Sequence, residues 1–140
     1  MRGQAAVELL ITIGIILAFT IPVVLLLLSV SQMGYEETTL AQADAAARTL
    51  AETINFVYSQ GEGAKRVILL NAPPSTQEVI IRHGEVVVRI RTSKGIYEGT
   101  APLFAEVKET ELEQSGMFLV TVESVRDRTG KVIVEVAGVG

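Results

Sequence analysis

Four closely spaced carboxylates in this 140-residue sequence are Glu106, Glu109, Glu111 and Glu113, and the one histidine is His83. Neighbouring carboxylates can exchange protons with a substrate or hold calcium. Either task needs a loop of defined geometry or a partner histidine, and this stretch offers neither, so a solvated acidic edge is expected. His83 precedes a glycine at a tight turn, where capping a hairpin is its expected role. Arg82, Arg89 and Arg91 could form a basic patch for the acidic edge of a neighbouring molecule, or simply a solvated sheet face. There is no cysteine, no glycine-rich phosphate loop and no nucleophile elbow. The expectation is therefore no enzyme, no cofactor and no metal centre.

Composition narrows the class further. Hydrophobic residues make up 49% of the chain and aromatics only 5%, so the apolar content is aliphatic, and it is concentrated in the first thirty residues. Apart from Arg2 and Glu8, the chain holds 11 basic and 15 acidic residues. A mildly acidic remainder argues against a nucleic-acid partner.

The chain opens MRGQAAVELLITIGIILAFTIPVVLLLLSV, and from Leu9 to Val30 it runs 22 residues without a charge. At the helical rise this is roughly 33 Å, enough to cross a hydrocarbon core of about 30 Å. A membrane-spanning helix is expected. Arg2 and the initiator amine precede it and Glu36 and Glu37 follow it, which places the N-terminus in the cytoplasm and the rest outside. Ser29-Val30-Ser31 also offers a small-x-small cleavage site for ordinary secretion, with Gln32 as the new terminus. The apolar run is longer than a secretory core usually is.

Glu8 stands out against this background. A carboxylate in the first turns of a helix gains a few tenths to about 1 kcal/mol from the helix dipole, which accounts for its tolerance at headgroup depth. A second reading starts from Gly3, a small residue between the charged leader and the apolar run. Cleavage after Gly3 makes Gln4 the first residue and Glu8 the fifth.

The order Arg2-Gly3-Gln4-Ala5-Ala6-Val7-Glu8-Leu9 resembles the class III signal peptide of archaeal type IV pilin-like proteins. The resemblance is close over about the first 30 residues and elsewhere is one of architecture, a long N-terminal helix bearing a β-rich head. It implies cleavage between Gly3 and Gln4 by a prepilin peptidase, with the hydrophobic helix kept on the mature chain. It also implies a pilus assembly ATPase and a membrane platform protein as partners. The apolar helices would then leave the membrane to form the core of a homopolymeric filament. In the family, the fifth-position Glu is proposed to pair with the terminal amine of a neighbouring subunit, which here assigns Glu8 to Gln4. An unpaired carboxylate in a dry bundle costs several kcal/mol, and if Gln4 cyclises, only hydrogen bonding is left to Glu8.

Other residues suit a bundle. Gly14 and Ala18 form a small-xxx-small pair that lets a second helix approach closely, although membrane spans in general carry such pairs. Pro22 removes one backbone hydrogen bond and is expected to kink or loosen the helix. A proline at a comparable place is found in many type IV pilins.

The elements that must position these groups follow from periodicity. In residues 31–63, Leu40, Ala43, Ala47, Leu50, Ile54 and Val57 recur every three or four positions, the pattern of an amphipathic helix. Gly61 and Gly63 supply its stop. One continuous helix from about Gln4 to Gln60 is expected, roughly 85 Å long, with its second half packed under a sheet. From residue 64 the period becomes two. Strands are expected near 65–71, 77–83, 85–92, 95–99, 103–109, 117–125 and 131–137, forming an antiparallel meander. Val86, Val88 and Ile90 should face inward and Glu85, Val87, Arg89 and Arg91 outward. In the last strand Val132, Val134 and Val136 should oppose Lys131, Ile133 and Glu135.

The expected fold class is α+β, with a leader (1–3), a hydrophobic helix (4–30), an amphipathic helix (31–63) and a β-rich head (64–140). The expected function is that of a pilin, inserted in the membrane before assembly and then part of an extracellular filament for adhesion. Motility and minor pilins stay open. The alternative from another class is a single-pass membrane-anchored extracellular binding module that does not polymerise. Neither Asn55 nor Asn71 lies in an N-glycosylation sequon, a departure from common habit among archaeal surface filaments.

Overall fold

A computed structural model describes residues 2–139. Helix α1 (Arg2–Gln60) is followed by seven strands: β1 (Lys65–Ala72), β2 (Thr76–Arg82), β3 (Glu85–Thr92), β4 (Gly95–Pro102), β5 (Thr110–Leu112), β6 (Gly116–Arg126) and β7 (Val132–Val139). The class is α+β. The chain divides after Glu37 into two compact units, the first helical and the second made of the last turns of α1 and every strand.

The second unit owns the core, since every buried residue among those described lies between Thr39 and Val136. Along α1 the expected stripe is real: Ala43, Ala47, Leu50, Ile54 and Val57 are buried and Leu40 is packed against them. Each large aliphatic side chain buried this way contributes about 1.5–3 kcal/mol. The alanines matter for distance. They let α1 come so near β4 that a Cβ added at Gly99 would stand 2.9 Å from the Ala43 carbonyl carbon, which is why β4 has a glycine there. Tyr97, two residues earlier, donates its hydroxyl to Asp44 on α1 at 3.1 Å. Burial first, and then the Asp44 carboxylate, push the phenol's pKa up. The helix closes at Gly61, whose amide reaches the Tyr58 carbonyl and whose φ is 88°, a left-handed cap that favours glycine.

The strands form two antiparallel sheets, in the orders β1-β6-β7 and β4-β3-β2-β5, and not the single meander expected. Only the runs β2-β3-β4 and β6-β7 follow one another as neighbours; β1 pairs along its whole length with β6. The reason lies in Pro73 and Pro74, which have no amide to continue a ladder. Thr76 N–H closes a turn on the Pro73 carbonyl, and the chain passes there from one sheet to the other.

The strand expected at 103–109 is also corrected. Asn55 on α1 accepts the amides of Phe104 and Ala105 at 2.9 and 3.1 Å, removing the donors a ladder would use. Beyond them the chain makes only an isolated parallel bridge, Val107 with Val134, flanked by Val134 N–H to the Glu106 carbonyl and Lys108 N–H to the Val134 carbonyl. That bridge ties the edge of one sheet to the segment leading into β5.

Val87, expected outward, is fully buried. It pairs across the strands with Ile80, itself nearly buried, and the long side chains of Arg82, Glu78 and Arg89 in the adjoining rows cover both.

Candidate functional site

Several charged groups of the second unit pair with one another. Arg89 bridges Glu78 and Glu98, the latter at 3.0 Å, and Arg82 pairs with Glu85 across the hairpin; Arg91 is exposed. His83 is in the β2–β3 turn, where Gly84 has a φ of 92°, and its Nδ1 is 3.9 Å from Glu106 with both side chains largely in solvent. Glu109 and Glu111 line an open hollow with Arg82 and Arg89, while Glu113 stands apart from it. Among the described residues no three His, Asp or Glu side chains converge as a metal site. In the β6–β7 turn Asp127 accepts Thr129 Oγ1 at 2.6 Å and the amides of Thr129 and Lys131. The Thr129 hydroxyl most of all, and with it those amides, hold its carboxyl below the usual range against the opposing effect of desolvation. These are turn-making bonds.

The first unit is different in kind. From Arg2 to Tyr35 every described side chain of α1 is exposed, including Leu9, Leu10, Ile13, Leu17 and Leu25 at 44–67%. The helix is long and apolar enough to cross a membrane, and none of its most apolar stretch is buried within the chain. An aliphatic surface of this extent does not stay in water.

The residues singled out in the sequence all fall on this helix. Gly3 and Gln4 lie in its first turn, where backbone amides lack intrahelical acceptors. Glu8 sits one turn beyond Gln4, so the two are neighbours on the surface; its carbonyl accepts the Thr12 hydroxyl at 2.9 Å, and its carboxylate is exposed. Gly14, Ala18 and Pro22 follow at four-residue steps and make a stripe without long side chains. A Cβ at Gly14 would meet nothing within 4 Å, so that stripe is open to another helix. The helix is unbroken through Pro22.

One surface went unnoticed in the sequence, the outward face of β1-β6-β7. Its signal was there in the unbroken apolar runs Val67-Ile68-Leu69-Leu70 and Met117-Phe118-Leu119-Val120. A strand with one wet face alternates, whereas these runs are apolar on both.

Comparisons with protein-family models, with curated proteins and with solved structures find no match to this chain. The likeness of the opening residues to a class III signal is carried by those residues alone.

Proposed function

We propose that this protein is the structural subunit of an archaeal type IV pilus-like surface filament that serves adhesion. The observation that carries the reading is the division of labour in α1. Its last turns complete the core of the second unit, while residues 2–35 are exposed throughout and form a mostly aliphatic surface. Only lipid or other copies can cover it. Moving from lipid to a helical bundle gains little hydrophobic free energy, so close packing and polar pairing must favour the polymer. Gly14 and Ala18 permit the packing, and Glu8 supplies the polar demand, a carboxylate that needs a cation once water is gone. In this reading the amine of Gln4, freed by cleavage after Gly3, is that cation on a neighbouring copy.

N-terminal sequencing of the protein from cells checks the first step. A start at Gln4 is expected; an intact Met1 would indicate a static anchor for a non-polymerising binding module, and a start at Gln32 ordinary secretion. Electron microscopy of sheared cells checks the second. Glu8→Ala should lower filament yield at least about tenfold, equivalent to about 1.4 kcal/mol, with the protein still in the membrane. Equal yields would remove Glu8 from assembly.

A further inference from the structure

The outer faces of the two sheets carry opposite chemistry. On β4-β3-β2-β5, Glu78, Arg89 and Glu98 form a cross-strand ion ladder, satisfied within the chain. On β1-β6-β7, Val67, Leu69, Met117, Leu119 and Val139 are 45–65% exposed, while the alternate residues Leu70, Phe118 and Val120 of the same strands fill the core. Register places Leu69, Leu119 and Val139 side by side in one row. Another row holds Lys65, Glu123 and Glu135, and none of these three enters an ion pair among the described residues.

We propose that this face docks against the same face of a second copy, sheet on sheet. A two-fold contact is self-complementary, so residue i meets j and j meets i. With the axis running along β6, β1 of one copy lies over β7 of the other and each row faces itself in reversed order. Leu69 then meets Val139, Leu119 meets Leu119, and Lys65 meets Glu135 twice over by symmetry. Glu123 faces its own counterpart, with a lysine on either side to offset the repulsion. The other in-plane axis, across the strands, would set the charged row on Asn71 and Met117 and leave all three charges unmatched, so the charge pattern selects the first. Stacked sheets pack about 10 Å apart. The five apolar side chains offer on the order of 500 Å², with Thr121, Ala137 and the charged row bringing the face near the roughly 800 Å² per partner of a stable interface. An anionic lipid surface fits less well, because the row bordering the apolar patch has two glutamates to one lysine.

The contact involves the second unit alone and does not depend on filament assembly. Because the chain has no cysteine, single cysteines can report it in the full-length protein in detergent. Leu119→Cys lies on the proposed axis; Ile96→Cys, at a more exposed apolar position on β4 (60% against 45%), is the control for chance encounters within a micelle. With a short thiol-to-thiol cross-linker, Leu119→Cys should give covalent dimers at least tenfold faster than Ile96→Cys. Adding Lys65→Glu should slow that reaction severalfold, and adding Glu135→Lys to the same chain should restore it. Equal rates at the two cysteines, or no dimer from either, would overturn the proposal. So would shielding of Leu119→Cys from maleimide only when phosphatidylglycerol vesicles are added, which would assign the face to lipid. Loss of filaments in Glu8→Ala with the Leu119 cross-link intact would separate this contact from helix assembly.

Discussion

Asn55 does at one position what a strand would otherwise do. It takes the amides of Phe104 and Ala105 on its Oδ1 and offers its Nδ2 to the Pro102 carbonyl at 3.4 Å, so β4 ends at Pro102 and residues 103–109 form no strand. Replacing it by alanine would strand two backbone donors, of which Ala105's is buried. The expected cost is about 2 kcal/mol, read as a lower midpoint in urea with an unchanged slope. Asn55→Asp, which keeps the acceptor and loses only the weaker donor, should recover most of it. Nothing in the local sequence announces this, because 103–109 has the alternation of a strand and its competitor lies about 50 residues away. The residues of the proposed assembly segment were legible for the opposite reason. Gly3, Gln4, Glu8, Gly14, Ala18 and Pro22 all lie on one helix, and position along a helix is what a sequence displays directly.

At the scale of elements, the seam between α1 and β4 is held by close backbone approach at Gly99 and by the Tyr97–Asp44 hydrogen bond. The raised pKa of Tyr97 makes this seam sensitive to alkali. The folded state favours the neutral phenol, so its contribution is complete below the ordinary value of 10.0 and declines as pH rises through the higher folded value. Alkaline unfolding should therefore steepen above pH 10. Tyr97→Phe should be about 1 kcal/mol less stable at neutral pH yet flatter in that limb, as thermal melts across the range would show. The helix stripe and the hairpin at His83-Gly84 were readable because period and turn chemistry are local. The division into two sheets was not, because Pro73 and Pro74 show where a ladder must stop and say nothing of which later strand β1 will pair with, and its partner β6 comes after four intervening strands. Val87 was misplaced for a related reason: alternation predicts which way a side chain points, and cannot tell whether neighbouring arginine stems will cover it.

At the scale of the whole molecule, the decisive fact is that the core is complete without the apolar segment. Among the described residues none before Thr39 is buried, and the chain divides after Glu37, so the second unit should hold what its own folding requires. Thr38 is also a suitable N-cap for a helix beginning there, its hydroxyl able to accept an orphan amide. A protein starting at Thr38 should accordingly be soluble without detergent and melt within about 5 °C of the full chain, since a shift of that size corresponds to about 1 kcal/mol in a domain of this length. A much lower midpoint would mean that the first unit supports the second. If the midpoints agree, the apolar helix contributes nothing to folding of the second unit, and its surface is left to its surroundings. The two units then answer to different constraints: substitutions at Gly14 or Glu8 should change assembly with no effect on melting of the second unit, and substitutions at Asn55 or Tyr97 should do the reverse.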